Sequence, residues 1–358
     1  MFIALDDKKN LVRAADGAAN ENYYCPACED KLIFKKGRTI HSHFAHAKQS
    51  FCQTFSEGET AEHLDGKLLL YNWFKREKLN VELEAFLPEL NQRPDLLVEI
   101  NGSKIAIEYQ CSPISRDKIR ERTLGYSENS IRVIWILGDR LKVSSKLQSV
   151  HFTYMTKGTQ DNYQLFQLNQ EDERIEVITD LTSCSNSIHY TKKNLFLTRS
   201  RAELCREIKS VHKAVPIRQK TKKNQLIYLN QMSHYRYDKG RRFFELLYEN
   251  QLFFEALPAV LFTSVRHEWM IVTFPYQWKL MLLLWLNTFQ AQLVLTRNVI
   301  ERKISQWLLD GELSIQNIPA VESVELYRPV YEYLGVLSSE GLLKRVGDDK
   351  WVCRINVL

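Results

Sequence analysis

Residues Gln92 to Ser115 read Q-R-P-D-L-L-V-E-I-N-G-S-K-I-A-I-E-Y-Q-C-S-P-I-S. Two β-rich runs, Leu96–Ile100 and Lys104–Cys111, flank Asn101-Gly102, a strong hairpin signal. If Asn101 and Gly102 are the whole loop, Ile100 sits opposite Ser103, and counting outward sets Asp95 opposite Glu108. If the loop is Gly102-Ser103, Asp95 faces Gln110. Strand side chains alternate, so Glu108 and Gln110 share a face, and either register brings Asp95 to it. A three-residue loop would turn Asp95 away. Opposed Cβ atoms lie about 4.5–5.5 Å apart, close enough for two carboxylates to hold one hard cation. Leu97, Ile105 and Ile107 are expected on the other, buried face. Two acids on apolar strands cost desolvation free energy, which a divalent metal would offset.

Working outward, Glu57 to Lys78 reads as a helix, with Ala61, Leu64, Leu68 and Tyr71 on an apolar stripe and Glu59, His63 and Lys67 recurring at i, i+4. Gly66 inside it argues for close packing. A strand at Val81–Phe86 precedes the hairpin. After it Pro113 ends the second strand, Ser115 caps a helix over Arg116–Tyr126, and a third apolar run follows at Arg132–Leu137. Strand, helix, parallel strand is a right-handed crossover. Pro94-Asp95 followed by Glu108-Tyr109-Gln110 resembles the PD-(D/E)xK nuclease motif, with Gln110 where Lys is usual, and this element order is that of the nuclease core.

Upstream, Tyr23 to His46 reads Y-Y-C-P-A-C-E-D-K-L-I-F-K-K-G-R-T-I-H-S-H-F-A-H, with Cys52 close behind. Two thiolates two residues apart chelate one tetrahedral ion at about 2.3 Å. A hairpin (Lys31–Phe34, turn at Gly37, Thr39–His41) would return the chain to His43 and His46. Cys25, Cys28, His43 and His46 supply four ligands. H-x2-H is shorter than the usual finger spacing, so Cys52 can replace one histidine, and His41 is a fifth candidate. The Zn²⁺ is read as structural, because about 50 residues make a poor core unaided. There is no H-E-x-x-H, and no H-x-E precedes C-P-x-C, so hydrolytic or deaminase zinc chemistry is not expected.

At 358 residues, 44% hydrophobic and 26% charged, the chain reads as two or three soluble globular domains. M-F-I-A-L-D-D-K-K is not a secretory signal. The most apolar window, Met270–Leu286, is interrupted by Pro275, Gln277 and Lys279 and reads as a buried helix. Seven cysteines, only three of them clustered, fit a reducing cytoplasm with one metal site. Net charge is +6 but uneven: Tyr190–Arg242 holds 15 Lys and Arg against 3 Asp and Glu, so this segment carries +12 and the rest −6. That asymmetry points to a polyanionic partner.

The segment is expected to be helical, with Lys220, Lys222, Lys223, Arg236, Arg241 and Arg242 contacting DNA and Tyr235 and Tyr237 offering stacking faces. Residues 141–189 carry strand-like runs (Val150–Met155, Glu176–Ile178) and no assigned function. At the end, helices at Val299–Leu308 and Leu326–Gly341 precede a hairpin around Gly347-Asp348-Asp349, which reads as a winged helix or as a unit that only packs.

Together, the C-P-A-C segment with H-F-A-H, E-T-A-E-H-L-D-G-K-L-L-L-Y, R-P-D-L-L-V, I-A-I-E-Y-Q-C-S-P-I-S and V-I-W-I-L-G resemble the competence protein CoiA family over roughly residues 20–140. The expected fold is mixed α+β: a zinc-binding module (1–55), a restriction-endonuclease-like α/β core (56–155), a linker or sheet extension (156–189), and a mainly helical basic C-terminal domain (190–358). The resemblance implies a role in natural transformation, in processing or recombining incoming DNA, single-stranded or branched. It also implies that Glu62, His63, Lys67, Ser112, Arg122 and Tyr126 surround the site. The expected chemistry is Mg²⁺- or Mn²⁺-assisted phosphodiester hydrolysis, with Asp95 and Glu108 as ligands, Gln110 beside the water, Lys67 as the missing cation and Glu62 as further ligand or base. The alternative is a non-catalytic DNA-binding accessory that recruits the recombinase RecA through its C-terminal part.

Overall fold

Five short strands, too small to enclose a core alone, open the chain: β1 (Ile3–Leu5), β2 (Leu11–Arg13), β3 (Tyr23–Tyr24), β4 (Lys31–Lys35) and β5 (His43–His46). They form an antiparallel sheet in the order β2-β1-β3-β4-β5. The computed structural model describes residues 1–36, 41–47, 52, 60–158, 162–184, 187–200, 202–203, 221–235, 238–253, 256–289 and 294–353. The turn expected at Gly37 lies outside them. The returning strand is β5, His43–His46; of the expected strand Thr39–His41, Thr39 and Ile40 lie outside the described residues and His41 precedes β5.

α1 (Ala61–Arg76) begins where the Thr60 hydroxyl accepts the His63 N–H. Its first turns complete the N-terminal core, where Leu64 joins Phe2, Tyr23, Leu32 and Phe44. Its last turns, through Leu70, Tyr71, Trp73 and Phe74, cover the main sheet. Gly66 is where helix and sheet touch: a Cβ there would lie 2.2 Å from the Tyr109 ring.

The main sheet contains β6 (Asn80–Leu83), β7 (Leu96–Ile100) and β8 (Ser103–Gln110). Asn101 and Gly102 take positive φ, 51° and 78°, the type I′ combination, and Ile100 pairs with Ser103. The two-residue loop is therefore Asn101-Gly102. Leu96, Val98 and Ile107 join the core under α1. Leu97, expected among them, pairs with Ala106 on the opposite face, the face that Glu108 shares two residues along β8.

α2 (Arg116–Glu128), capped by the Ser115 hydroxyl, crosses to β9 (Arg132–Leu137), which runs parallel to β8. α3 (Ser149–Phe152) and β10 (Thr156–Lys157) replace the strand expected at Val150–Met155; the Gln148 and His151 side chains cap this helical turn reciprocally. β11 (Tyr163–Asn169), β12 (Arg174–Cys184) and β13 (Ser187–Phe196) extend the sheet, in the order β13-β12-β11-β9-β8-β7-β6. The chain from Tyr190 thus continues as strand where helix was expected. Its S-I-H-Y-T-K-K-N-L-F composition is rich in β-formers, and Lys192 pairs with Glu176 of β12 at 2.9 Å.

By internal contacts the chain divides into two units: Met1–Thr179 with Lys192–His212 and Ile318–Ala320, and Asp180–Thr191 with Lys213–Asn317 and Val321–Leu358. The second contains α4 (Lys222–Tyr235), α5 (Arg241–Glu249), α6 (Pro275–Asn287), β14 (Val294–Thr296), α7 (Arg297–Leu309), α8 (Arg328–Ser339), β15 (Leu343–Gly347) and β16 (Lys350–Cys353). Phe243, Leu261, Trp278, Leu283, Ile300, Tyr333 and Leu337 form its core. α6 is the buried helix read from the apolar window; its Lys279 is buried against Glu268. From α6 onward the element order, with strands arranged β14-β16-β15, is that of a winged helix. α8 stands in the recognition-helix position, yet its only basic residue is Arg328, which faces Glu332 at 3.6 Å. Among the described residues no helix is long and apolar enough to cross a membrane.

Candidate active site and metal centre

β8 and β9 are parallel, and open α/β sheets bind ligands beyond the carboxyl ends of such strands. Asp95 stands at that end because β7 runs antiparallel to β8. It precedes the ladder by one residue, so strand alternation no longer dictates its side chain. Its Oδ2 accepts the Tyr109 N–H at 2.8 Å and lies 3.2 Å from His63 Nε2, while Oδ1 is 3.5 Å from Lys67 Nζ. Burial opposes ionisation of Asp95, but His63, Lys67 and the Tyr109 N–H outweigh it and hold the carboxyl well below the usual range.

Glu108 obeys the alternation and points toward α2. Arg122 Nη2 and the Tyr126 hydroxyl both donate to its Oε1, the latter at 2.6 Å. Burial pushes its pKa up to about 7; the Asp95 charge adds to this, and Arg122 and Tyr126 offset part of it. The hairpin thus sets the two acids beside each other, while the helices on the two faces each hold one of them. Both offer hard oxygen donors of the kind Mg²⁺ or Mn²⁺ takes.

Gln110 shares the Glu108 face, and its Nε2 donates to the Ser112 carbonyl at 2.8 Å. Glu62 Oε1 accepts the Asp139 N–H at 2.7 Å, just past the end of β9. Gly138 permits that approach, since a Cβ would lie 2.5 Å from Glu62 Oε1 and 2.8 Å from Cys111 Sγ. Glu62 and His63 therefore enter from the first turn of α1, and Arg122 and Tyr126 from α2.

Lys67 is fully buried, with Nζ 2.6 Å from Glu84 Oε1. Glu84 carries no signal in the sequence, being one of two acids in V-E-L-E-A-F with no motif around it. Its own carboxyl is held well below the ordinary range: burial opposes this, and Lys67 and Arg93 prevail.

The second centre lies in the N-terminal sheet. Ligand atoms of Cys25, Cys28, His46 and Cys52 all fall within 4.8 Å of one another, a set that could hold a structural metal ion. His43 is not among them. Three residues apart on β5, His43 and His46 point to opposite faces, and His43 Nδ1 instead meets the His41 carbonyl at 2.9 Å. His41 stands 3.6 Å from Asp65. Burial, followed by the neighbouring Cys25 and Cys52, pushes the Cys28 thiol up to about 12. A bound cation would remove that cost, and three sulfurs with one imidazole suit a soft tetrahedral ion.

Of the residues expected to touch DNA, Lys220 and Arg236 lie outside the described residues, as does most of 201–220. Lys223 is exposed on α4. Lys222 donates to the Leu257 carbonyl. Arg241 pairs with Glu245, and Arg242 pairs with Glu249 at 2.7 Å and Glu312 at 3.2 Å.

Comparison with known proteins agrees in order along the chain. Residues 7–55 match the competence protein CoiA N-terminal domain, 59–209 the CoiA nuclease-like domain and 215–357 the CoiA C-terminal domain. A competence protein CoiA of Bacillus subtilis (strain 168) is 36% identical over 138 residues, which covers 37% of this chain and 37% of that protein. No solved structure matches. The three domain matches, in sequence over nearly the whole length, show that the chain belongs to the competence protein CoiA family.

Proposed function

We propose that this chain is a metal-dependent DNA nuclease acting on incoming DNA during natural transformation and recombination. The observation that carries the reading is the juxtaposition of Asp95 and Glu108 at the carboxyl end of β8, set by the Asn101-Gly102 turn. A Mg²⁺ or Mn²⁺ held by the two carboxylates would polarise a phosphodiester and acidify a water at neutral pH. Asp95 is the permanently ionised ligand. Glu108 ionises near neutrality, with Arg122 and Tyr126 fixing one of its oxygens. Gln110 orients a nucleophile without supplying charge, and Glu62 is the further acid at the strand ends. The N-terminal centre holds one Zn²⁺ through Cys25, Cys28, His46 and Cys52 and serves folding alone. DNA contact is assigned to the basic segment, through Lys220, Lys222 and Lys223 in particular.

One observation favours a second reading. Gln110 stands where the motif lysine is usual and is turned to the Ser112 carbonyl, and Lys67, the expected substitute cation, is paired with Glu84. On that reading the protein binds DNA without turnover and recruits RecA through its C-terminal part. Linear single- and double-stranded DNA, incubated with wild type and Asp95→Ala under Mg²⁺, Mn²⁺ or EDTA, separates the two. Metal-dependent cleavage by wild type alone is expected. Equal cleavage by both proteins would place the activity elsewhere, and cleavage by neither, with DNA binding intact, would favour the accessory.

A further inference from the structure

We infer that Glu84 is a positioning residue for Asp95: it neutralises the buried Lys67 and so leaves Asp95 available to a divalent cation. The inference rests on the metal role proposed above for Asp95. Lys67 is 0% exposed, so its ammonium cannot reach a phosphate and acts only on what surrounds it. Two carboxylates do: Glu84 at 2.6 Å and Asp95 at 3.5 Å. A buried ammonium without a countercharge is strongly unfavourable. If Glu84 did not supply that charge, Lys67 would close on Asp95 and compete for the oxygens a metal needs.

Glu84 is held to this task by parts of the fold distant in sequence. Its Oε2 accepts the N–H groups of Phe2 and Ile3 at 2.9 and 3.2 Å, and Arg93 Nη2 lies 3.9 Å from the same oxygen. The Phe2 ring lies 5.4 Å from Lys67 Nζ, a cation–π distance. Glu84 also adopts φ 53°, a left-handed conformation uncommon for a residue with a side chain. It stands directly after the last residue of β6, and its N–H still donates to the Asp95 carbonyl at 2.9 Å. The start of the N-terminal sheet therefore anchors the group that sets the charge beside Asp95.

The test is Mn²⁺ binding by the full chain, followed through the loss of the free-ion electron paramagnetic resonance signal. It needs wild type, Asp95→Ala, Glu84→Gln and Glu84→Gln/Lys67→Met. Glu84→Gln keeps shape but removes charge, and should raise the Mn²⁺ Kd roughly tenfold or more, the scale of one charge pair newly formed at a ligand. The double variant removes the competitor together with its neutraliser and should return Kd to within about threefold of wild type, a rescue that charge competition demands. A purely structural Glu84 predicts no such rescue. Wild-type affinity in Glu84→Gln, or a double variant that folds yet binds as weakly as Glu84→Gln, overturns the inference. If instead Asp95→Ala binds Mn²⁺ like wild type, the metal role of Asp95 itself fails, and this inference falls with it.

Discussion

At Gly66 a Cβ would meet the Tyr109 ring at 2.2 Å and the Gln170 amide at 2.8 Å. Alanine is the better helix former by about 1 kcal/mol, yet overpacking here should win. Gly66→Ala is expected to destabilise the chain by about 1–3 kcal/mol in urea melts, and a neutral or stabilising result would show that Tyr109 can move aside. Glu108 makes a different kind of prediction. Its ordinary carboxyl value of 4.5 is raised to about 7 by burial, so between those values the folded chain binds a proton that the unfolded chain has released. The stability contributed at this site is full below the unfolded value and is lost as pH rises through about 7. Urea midpoints should therefore decline more steeply with pH over this range in wild type than in Glu108→Gln, and parallel declines would contradict the raised value. Both effects come from burial, which no single residue in the sequence announces.

At the scale of elements, α1 serves three neighbours at once. Leu64 packs into the N-terminal core, Leu70 to Phe74 cover the main sheet, and His63 and Lys67 flank Asp95. Loss of the metal centre should thus be felt beyond it. Cys28→Ser is expected to lose about one equivalent of zinc in elemental analysis and to speed hydrogen exchange in the first turns of α1 while sparing its last. His46→Ala should lose the metal too, whereas His43→Ala should keep it, because β5 turns His43 to the opposite face. Metal loss in His43→Ala with retention in His46→Ala would reverse the assignment. The sheet extension shows where element reading from sequence stops short. Val150–Met155 is apolar and β-branched at its start, yet the Gln148 and His151 cap makes a helical turn of it. Ser187–Phe196 is lysine-bearing, yet becomes a strand through pairing with β12. Short apolar or mixed runs are decided by their neighbours.

At the scale of the whole molecule, the +12 segment from Tyr190 to Arg242 stands against −6 elsewhere. DNA affinity should fall steeply with salt, by a log–log slope of roughly −0.7 per neutralised phosphate on single strands. Reversing the charges of Lys220, Lys222 and Lys223 should flatten that slope, and an unchanged slope would place the DNA elsewhere. Arg242→Ala, by contrast, should leave the slope alone and lower stability, since its guanidinium is already shared between Glu249 and Glu312. The sequence alone determined the hairpin at Asn101-Gly102, the Ser115 cap, the Cys25-x2-Cys28 pair of thiols, the parallel crossover and the family. Each of these depends on residues a few positions apart or on an ordered string of motifs. Only the tertiary structure decided that Ile100 pairs with Ser103, that Cys52 rather than His43 joins Cys25, Cys28 and His46 in a set that could hold a metal ion, that Asp95 turns toward α1 while Glu108 turns toward α2, and that Lys67 belongs to Glu84, 17 residues away. Those outcomes depend on which faces of separate elements meet, and on how a buried charge finds its counterion, which spacing along the chain does not encode.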